Sequence, residues 1–514
     1  MVAVVLVAVL LVGCGGSQQA RLTGVRQAGA AADEPRAVTV ARDVLNAGGS
    51  AADAAVATAL ALAVTFPVAA NLAGGGMCVV FDGPTGAVES LEFLPRAPKA
   101  GGSVAVPGMV RGLATLHARY GRLAWADIVK PAEAIARSGH PVSRAMARNI
   151  AAVGDAIGKS KSLTRWLAQG ANGLLEEGDG LVQIEISSTL SLLRTRGAGD
   201  LYRGFLGRQF VDAARRMGGR VTMQDLRGYA PVWGETAQAN VIDLTMHTIP
   251  LPVTGGTISG QILLMLSDGE RYRAATVEER PHLFAEISLR AFADLRASRI
   301  APMSSFRAHA LMRTYEPGAH AAQSTDTPGV SGELPALAGG DGATGFVVGD
   351  NDGSAIACNL MLGSPFGIGA WDPVTGMVPA AVSMLGNTHA YSGPVLFVRT
   401  PDDHVVFAGA ASGGIAAPAA LAQVAVATLS DDVPLPAALL APRVLHIGLP
   451  DRVIVEPSIP QTAIDSLVRR NHAVFRAAPI GFVNGLRCLG GLGRGSGGCT
   501  YGADPRGSGL NLTQ

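Results

Sequence analysis

Residues 51–65 read Ala-Ala-Asp-Ala-Ala-Val-Ala-Thr-Ala-Leu-Ala-Leu-Ala-Val-Thr, a helix-forming run with no charge after Asp53. Ser50 opens it, and Asp53 three residues on gives a capping-box start with a carboxylate at the positive end of the helix. The run carries Val56, Leu60 and Ala63 and stops before Pro67. A helix that is apolar nearly all round has no face to give to water, so it belongs in a core. At about 15 residues and 1.5 Å per residue it is too short for a bilayer interior of about 30 Å. Other elements must surround it. With 514 residues, 48% hydrophobic and 16% charged, the chain has enough apolar surface for one large core or two ordinary ones.

Downstream, Asn71-Leu72-Ala73-Gly74-Gly75-Gly76 leads into a strand over 77–81 and the turn Asp82-Gly83-Pro84. Residues 107–148 carry Val110, Leu113, Leu116, Ile128, Ala132 and Ile135 at helical spacing, and 281–300 read as a further helix. Residues 325–341 are rich in Gly, Pro, Ser and Ala with no period, which suits an exposed loop that a protease, or the protein itself, could cut. A hairpin follows, with strands over 346–348 and 355–362 around Gly349-Asp350-Asn351-Asp352-Gly353. Strands over 395–398 and 404–407 precede a glycine-bearing loop and a helix near 416–429. Helices first and strands late, without regular alternation, predict a layered α+β fold rather than a doubly wound sheet. No internal repeat is present.

A formal net charge of +1 and 5% aromatic residues leave no basic stripe with stacking platforms, so nucleic acid is not the expected partner and a small molecule is. Residues 1–12 are almost continuously apolar, about 12 residues that cannot span a bilayer but match a signal peptide. They run into Leu11-Val12-Gly13-Cys14, which resembles a bacterial lipobox: residues 1–13 would be removed, and Cys14 would carry a lipid anchoring the chain to a membrane. Ordinary secretory cleavage is the alternative. Either sends the chain out of the cytoplasm, into the periplasm for a bacterial lipoprotein. Cys488 and Cys499 flank a glycine-rich loop, and an oxidising compartment favours a disulfide between them. Cys78 and Cys358 lie in apolar runs and read as buried thiols. No Cys/His cluster has metal-ligand spacing, so no metal or other cofactor is expected.

Several stretches together resemble the gamma-glutamyltranspeptidase family over nearly all of the mature length. They are Gly48-Gly49-Ser50-Ala51-Ala52-Asp53-Ala54-Ala55-Val56-Ala57, Gly74-Gly75-Gly76, Ala105-Val106-Pro107-Gly108 and Tyr120-Gly121-Arg122-Leu123-Ala124-Trp125. Gly218-Gly219-Arg220-Val221-Thr222 leading to Asp225-Leu226, and Thr500-Tyr501-Gly502-Ala503-Asp504-Pro505-Arg506, complete the series. The resemblance implies a four-layer αββα sandwich of the N-terminal-nucleophile hydrolase type. It further implies self-cleavage into a large chain, here 14–343, and a small chain, 344–514, whose first residue attacks a gamma-glutamyl amide such as glutathione. A threonine hydroxyl is a weak nucleophile, and the α-amine freed by cleavage, with pKa about 8, can serve as its base. Water or an amino acid then accepts the glutamyl group, without a cofactor.

Carried over position by position, the resemblance makes Thr344 the nucleophile, as the only threonine where the family starts its small chain. An ungapped alignment through Phe346, Asp350 and Gly353 instead sets the family's threonine column on Ala343. A one-residue offset turns a strand side chain to the opposite face, so either the hairpin is one residue shorter or the chemistry is lost. The same alignment sets a family threonine and asparagine of the second strand on Met361 and Gly363, with Asn359 as the polar substitute on the same face. The carboxylate-binding arginine column falls on Leu94, leaving Arg96 before Ala97-Pro98 as the anchor or as a surface ion pair. The family's paired serines are replaced around Ala390-Tyr391-Ser392-Gly393-Pro394, and its acidic amine-binding residues are absent near 377–381. Ala411-Ser412-Gly413-Gly414-Ile415 resembles the oxyanion loop, in which Gly413 and Gly414 offer backbone N–H groups and Ser412 faces substrate; a tight strand-to-helix turn is the other reading. His117, His140 and His282 fall with helical segments and read as structural. Three functions stay open: a gamma-glutamyl hydrolase or transferase, an acylase acting on another amide, and an inactive lipoprotein of the same fold.

Overall fold

The computed structural model describes residues 27–171, 173–298, 303–322, 342–382, 391–400, 403–493 and 497–513. The signal segment with Cys14, the 325–341 loop and Ala390 lie outside the described residues. Thirteen strands build two facing sheets. In chain order they are β1 Gly29–Ala32, β2 Gly75–Asp82, β3 Ala87–Phe93, β4 Val232–Gly234, β5 Ala237–Val241, β6 Leu244–Thr248 and β7 Ala343–Gly349. β8 Ala355–Met361, β9 Val395–Arg399, β10 His404–Ser412, β11 Phe482–Cys488, β12 Cys499–Gly502 and β13 Leu510–Thr513 follow. The first sheet has the order β13-β1-β7-β8-β2-β3-β4, and the second β12-β11-β10-β9-β6-β5.

Five helices matter for the layers: α1 Pro35–Asn46, α2 Ala51–Thr65, α3 Gly255–Ser267, α4 Arg280–Ser298 and α5 Ala417–Leu429. α1 and α2 pack on the first sheet, while α3 and α5 pack on the second, with α4 beside α3. An apolar layer that includes Met77, Val79, Val347 and Leu396 fills the space between the sheets. This is the expected αββα sandwich. α2 is buried along its entire length, as its composition demands.

Ser50 and Asp53 form the predicted capping box: Ser50 Oγ accepts from the Asp53 amide at 3.2 Å, and the Asp53 carboxylate accepts from the Ser50 amide at 3.0 Å. The same carboxylate accepts from the amides of Arg122 and Leu123 at 2.9 and 3.1 Å. Two motifs far apart in sequence are therefore one structural unit, a helix start clamped to a loop. The helical pattern over 107–148 resolves into three helices, Met109–Tyr120, Trp125–Ser138 and Arg144–Ala152, broken at Gly121 and Gly139.

One cysteine expectation is corrected. Cys78 and Cys358 are not thiols but a disulfide (S–S 2.07 Å), directly opposite each other in the antiparallel pairing of β2 with β8. Both are buried, as their apolar neighbours indicate; their pairing depends on two strands 280 residues apart lying side by side. Cys488 and Cys499 form the other disulfide, between β11 and β12. Replacing Cys78 and Cys358 together by alanine should lower the denaturant midpoint, at a cost of about 2–4 kcal/mol. Urea titration of the oxidised protein tests this, and an unchanged midpoint would refute it.

Candidate active site

β7 begins at Ala343, and its residues alternate between the two faces of the sheet. Ala343 and Val347 face the layer between the sheets, whereas Phe346 and Val348, which share a face with Thr344, pack in the core under the helices. Ala343 stands opposite Met361 on β8, and both belong to the same buried cluster as Leu94. The three positions where the resemblance sets a nucleophile, a second threonine and a carboxylate-binding arginine are thus occupied by side chains that pack on one another as apolar core.

A polar knot lies immediately beside this cluster, centred on Asp33 at the end of β1. Thr344 Oγ1 donates to Asp33 Oδ2 at 2.7 Å. The Gly345 amide donates to the same oxygen at 3.3 Å, and Ser412 Oγ reaches it at 3.5 Å. Asn484 Nδ2 donates to Asp33 Oδ1 at 2.7 Å and to the Gly345 carbonyl at 2.8 Å. Thr344 and Asn484 are buried as well. Burial pushes the Asp33 carboxyl above its ordinary pKa of 3.8, opposed by the hydrogen bonds from Thr344, Asn484 and Gly345. A buried carboxyl with a raised pKa in direct contact with a hydroxyl is poised to take that hydroxyl's proton.

A cavity of about 140 Å³ opens at this knot, and Asp33, Gly342, Ala343 and Ser412 contribute to its wall. Phe66, Val68, Ala69 and Phe482 supply apolar wall, and Arg148, Asn149 and Arg506 supply two cations and an amide. Thr344 does not line it and is 0% exposed. Ser412 ends β10, and the chain turns there through Gly413 at φ 106° and Gly414 at φ 59° into α5. A Cβ on Gly413 would come within 2.8 Å of Gly481 Cα, so the turn needs glycine for both its dihedral and its close approach.

Two other expected site residues stand elsewhere. Arg96 lies over the Tyr229 ring at 4.9 Å with Glu92 at 4.0 Å, half exposed and outside the cavity wall. Asn359 lies on the face of β8 that meets the second sheet, as its strand parity predicts, but its Nδ2 donates to the Ala411 carbonyl at 2.8 Å and so ties the two sheets together. Asp33 and Asn484 were not singled out in the sequence. The signal available was Asp33-Glu34-Pro35 closing an alanine strand: Glu34 is used up as the cap of α1, accepting from the Ala37 amide at 2.9 Å, and Asp33 is left with side-chain duties. Among the described residues, two groups also have the composition to hold a metal ion, His282 with Glu286 and His472, and His320 with His446 and Asp451, which spacing along the chain did not disclose.

The αββα layers and the knot at the start of a central strand define an N-terminal-nucleophile hydrolase fold. The cephalosporin acylase from Bacillus halodurans shares it, with a TM-score of 0.79 at 22% identity over 95% of this chain and 96% of that one. The family model described as Gamma-glutamyltranspeptidase matches residues 37–379 and 390–513, and the chain belongs to that family. Scoloptoxin SSD14 of Scolopendra dehaani is 26% identical over 88% of this chain and 87% of its own length. The glutathione hydrolase proenzyme of Pseudomonas aeruginosa is 31% identical over 289 residues, 51% of this chain and 50% of that enzyme. Gamma-glutamyltranspeptidase from Pseudomonas nitroreducens, solved with L-DON, aligns at TM-score 0.50 and 26% identity over 56% of this chain and 94% of that one.

Proposed function

We propose that this protein is a self-processing amide hydrolase that uses Thr344 and takes an apolar acyl group in place of a gamma-glutamyl group. The contact between Thr344 Oγ1 and Asp33 Oδ2 carries the reading, because it puts a proton acceptor on the hydroxyl nearest the Ala343–Thr344 bond. In the processing step Asp33 takes the hydroxyl proton as Oγ1 attacks the Ala343 carbonyl carbon; the peptide C–N bond breaks, the proton passes to the departing nitrogen, and an ester joins Ala343 to Oγ1. Water hydrolyses that ester. Thr344 then carries a free α-amine beside the cavity, whose wall includes Ala343 and the Asp33 that its hydroxyl contacts. A substrate amide is cleaved by the same sequence: attack by Oγ1, loss of the amine, and hydrolysis of the acyl-enzyme.

The choice of acyl group rests on the wall of the site. Ala343 on the wall, and Leu94 and Met361 in the apolar cluster it belongs to, bring no charge or hydrogen bond to a glutamate head group, and Phe66, Val68 and Phe482 favour an aliphatic or aromatic acyl chain. The names of the glutathione hydrolase relatives favour a gamma-glutamyl peptide instead. Export as a lipoprotein through Cys14 belongs to the same proposal, and the two disulfides accord with an oxidising compartment.

On a reducing gel, purified protein should run as two chains, the smaller beginning at Thr344. Without reductant it should run as one, because the Cys78–Cys358 bond joins the two sides of the cut. A single full-length chain under reduction removes the hydrolase reading. With a gamma-glutamyl anilide and a series of acyl anilides as substrates, kcat/KM should favour the acyl series by at least about tenfold, the worth of one or two well-buried methylenes. Preference for the gamma-glutamyl compound would return the assignment to glutathione-like peptides.

A further inference from the structure

Four of the ten histidines meet away from the cavity: His282, His472, His320 and His446 touch in that order through edge-on or tilted rings, with centroids 5.1 Å apart for His282 and His472 and 4.2 Å for His320 and His472. They come from separate parts of the chain. His282 and Glu286 stand one turn apart on α4, and His472 follows the helix Gln461–Arg469. His282 Nε2 faces the Glu316 carbonyl at 3.0 Å and must donate to it, which leaves a lone pair on Nδ1. That Nδ1 is 2.8 Å from His472 Nε2, and His472 Nε2 is 3.8 Å from Glu286 Oε1.

We propose that His282 Nδ1, His472 Nε2 and the Glu286 carboxylate form a binding site for one divalent transition-metal ion of the zinc class. Ligand atoms bound to a tetrahedral ion at about 2.0–2.1 Å lie about 3.4 Å from one another. The two separations here fall on either side of that value, so small side-chain rotations suffice. Two imidazoles and a carboxylate suit zinc, cobalt or nickel better than magnesium or calcium. The Glu316 carbonyl fixes the His282 ring, and Arg290 holds the Glu286 oxygen that faces away from His472. Oε1 accepts from His320 Nδ1 at 2.7 Å and from the Ala321 amide at 3.2 Å, contacts that the ion replaces in part. None of these residues lines the cavity at Asp33, so the ion fastens α4 to the segment around His472 and takes no part in amide cleavage.

Zinc chloride added to chelator-treated full-length protein, followed by removal of excess metal, should leave one equivalent by mass spectrometry and raise the melting temperature. Cobalt(II) should give the intense visible bands of a low-coordinate nitrogen and oxygen site. His472→Ala and Glu286→Gln should each weaken metal binding at least about tenfold. His140→Ala, outside the cluster, should bind as the parent does. Melting of each variant in chelator checks that it folds; should the ligand variants not fold, the cobalt spectrum and zinc stoichiometry of the unaltered protein decide alone. No cobalt bands, less than one equivalent of zinc, or equal affinity in folded ligand variants overturns the proposal and leaves a hydrogen-bonded imidazole cluster without metal. Because the readouts are metal content and melting, the outcome is independent of whether Thr344 is a nucleophile.

Discussion

Asp33→Asn is expected to leave the protein as a single chain under reducing conditions, or to slow processing by about 10²–10⁴-fold, the usual range for loss of a general base. The asparagine is almost the same shape: its one oxygen can accept from Asn484 and its NH2 can donate to Thr344 Oγ1, so only the weak contact with the Gly345 amide is lost while the capacity to take a proton is gone. Thr344→Ala should abolish processing altogether; Thr344→Ser, which keeps the hydroxyl, should retain it. The pH dependence gives a second, independent readout. Burial raises the Asp33 pKa above 3.8, and a base must be unprotonated, so processing should fall on acidification around a midpoint above 3.8. The sign for stability is opposite. A folded-state pKa above the unfolded one means that the folded chain holds this proton more tightly, so its contribution is full below about 3.8 and is lost as pH rises through the folded value. Asp33→Asn should flatten both dependences. Time courses of chain cleavage from pH 3 to 8, read on reducing gels, measure the first, and unaltered kinetics in Asp33→Asn would remove Asp33 from the chemistry.

The layered fold was legible because α2 admits no solvent-facing side and because the glycine-bearing motifs occur in family order. Strand parity was legible as well: it correctly warned that Ala343 and Thr344 point to opposite faces, and it set Asn359 on the face of Met361. Contacts between distant strands were not. Cys78 and Cys358 are neighbours only through the register of β2 against β8, and Asp33 meets Asn484 only where β1 lies near β11. No local pattern encodes either. Arg96 shows the limit of carrying a motif over by proximity: two residues from the arginine column, its guanidinium leaves the layer between the sheets and settles on Tyr229 near the surface. The meeting of the histidines was hidden for the same reason, since His282 and Glu286 stand one turn apart on α4 but His472 reaches them only through the fold.

The motif Tyr501-Gly502-Ala503-Asp504-Pro505-Arg506 acquires a role in the fold that leads to a large expected effect on stability. Arg443 is fully buried and donates to Asp504 Oδ2 at 2.5 Å and to the carbonyls of Ile480 and Gly481 at 3.0 and 2.8 Å. Asp504 also accepts from the Val483 amide at 2.9 Å, and Arg506 reaches Glu456 and Asp504 from the other side. The pair therefore secures the chain at Gly481, where it passes within van der Waals contact of Gly413, and Phe482, which lines the cavity. Removing Arg443 leaves the buried Asp504 carboxylate with Arg506 as its remaining cation and the carbonyls of Ile480 and Gly481 without their donor. Arg443→Met should cost about 3 kcal/mol in urea unfolding. Arg443→Met combined with Asp504→Asn should recover at least about 1 kcal/mol of that loss, because the amide carries no charge to desolvate. The single variant should also loosen the Gly413 turn and slow processing, since the residues around Ser412 lose their backing. A cost below about 1 kcal/mol for Arg443→Met, within the range of a solvent-exposed pair, would show that the charge is not held in a dry interior and that the turn is anchored by its backbone alone.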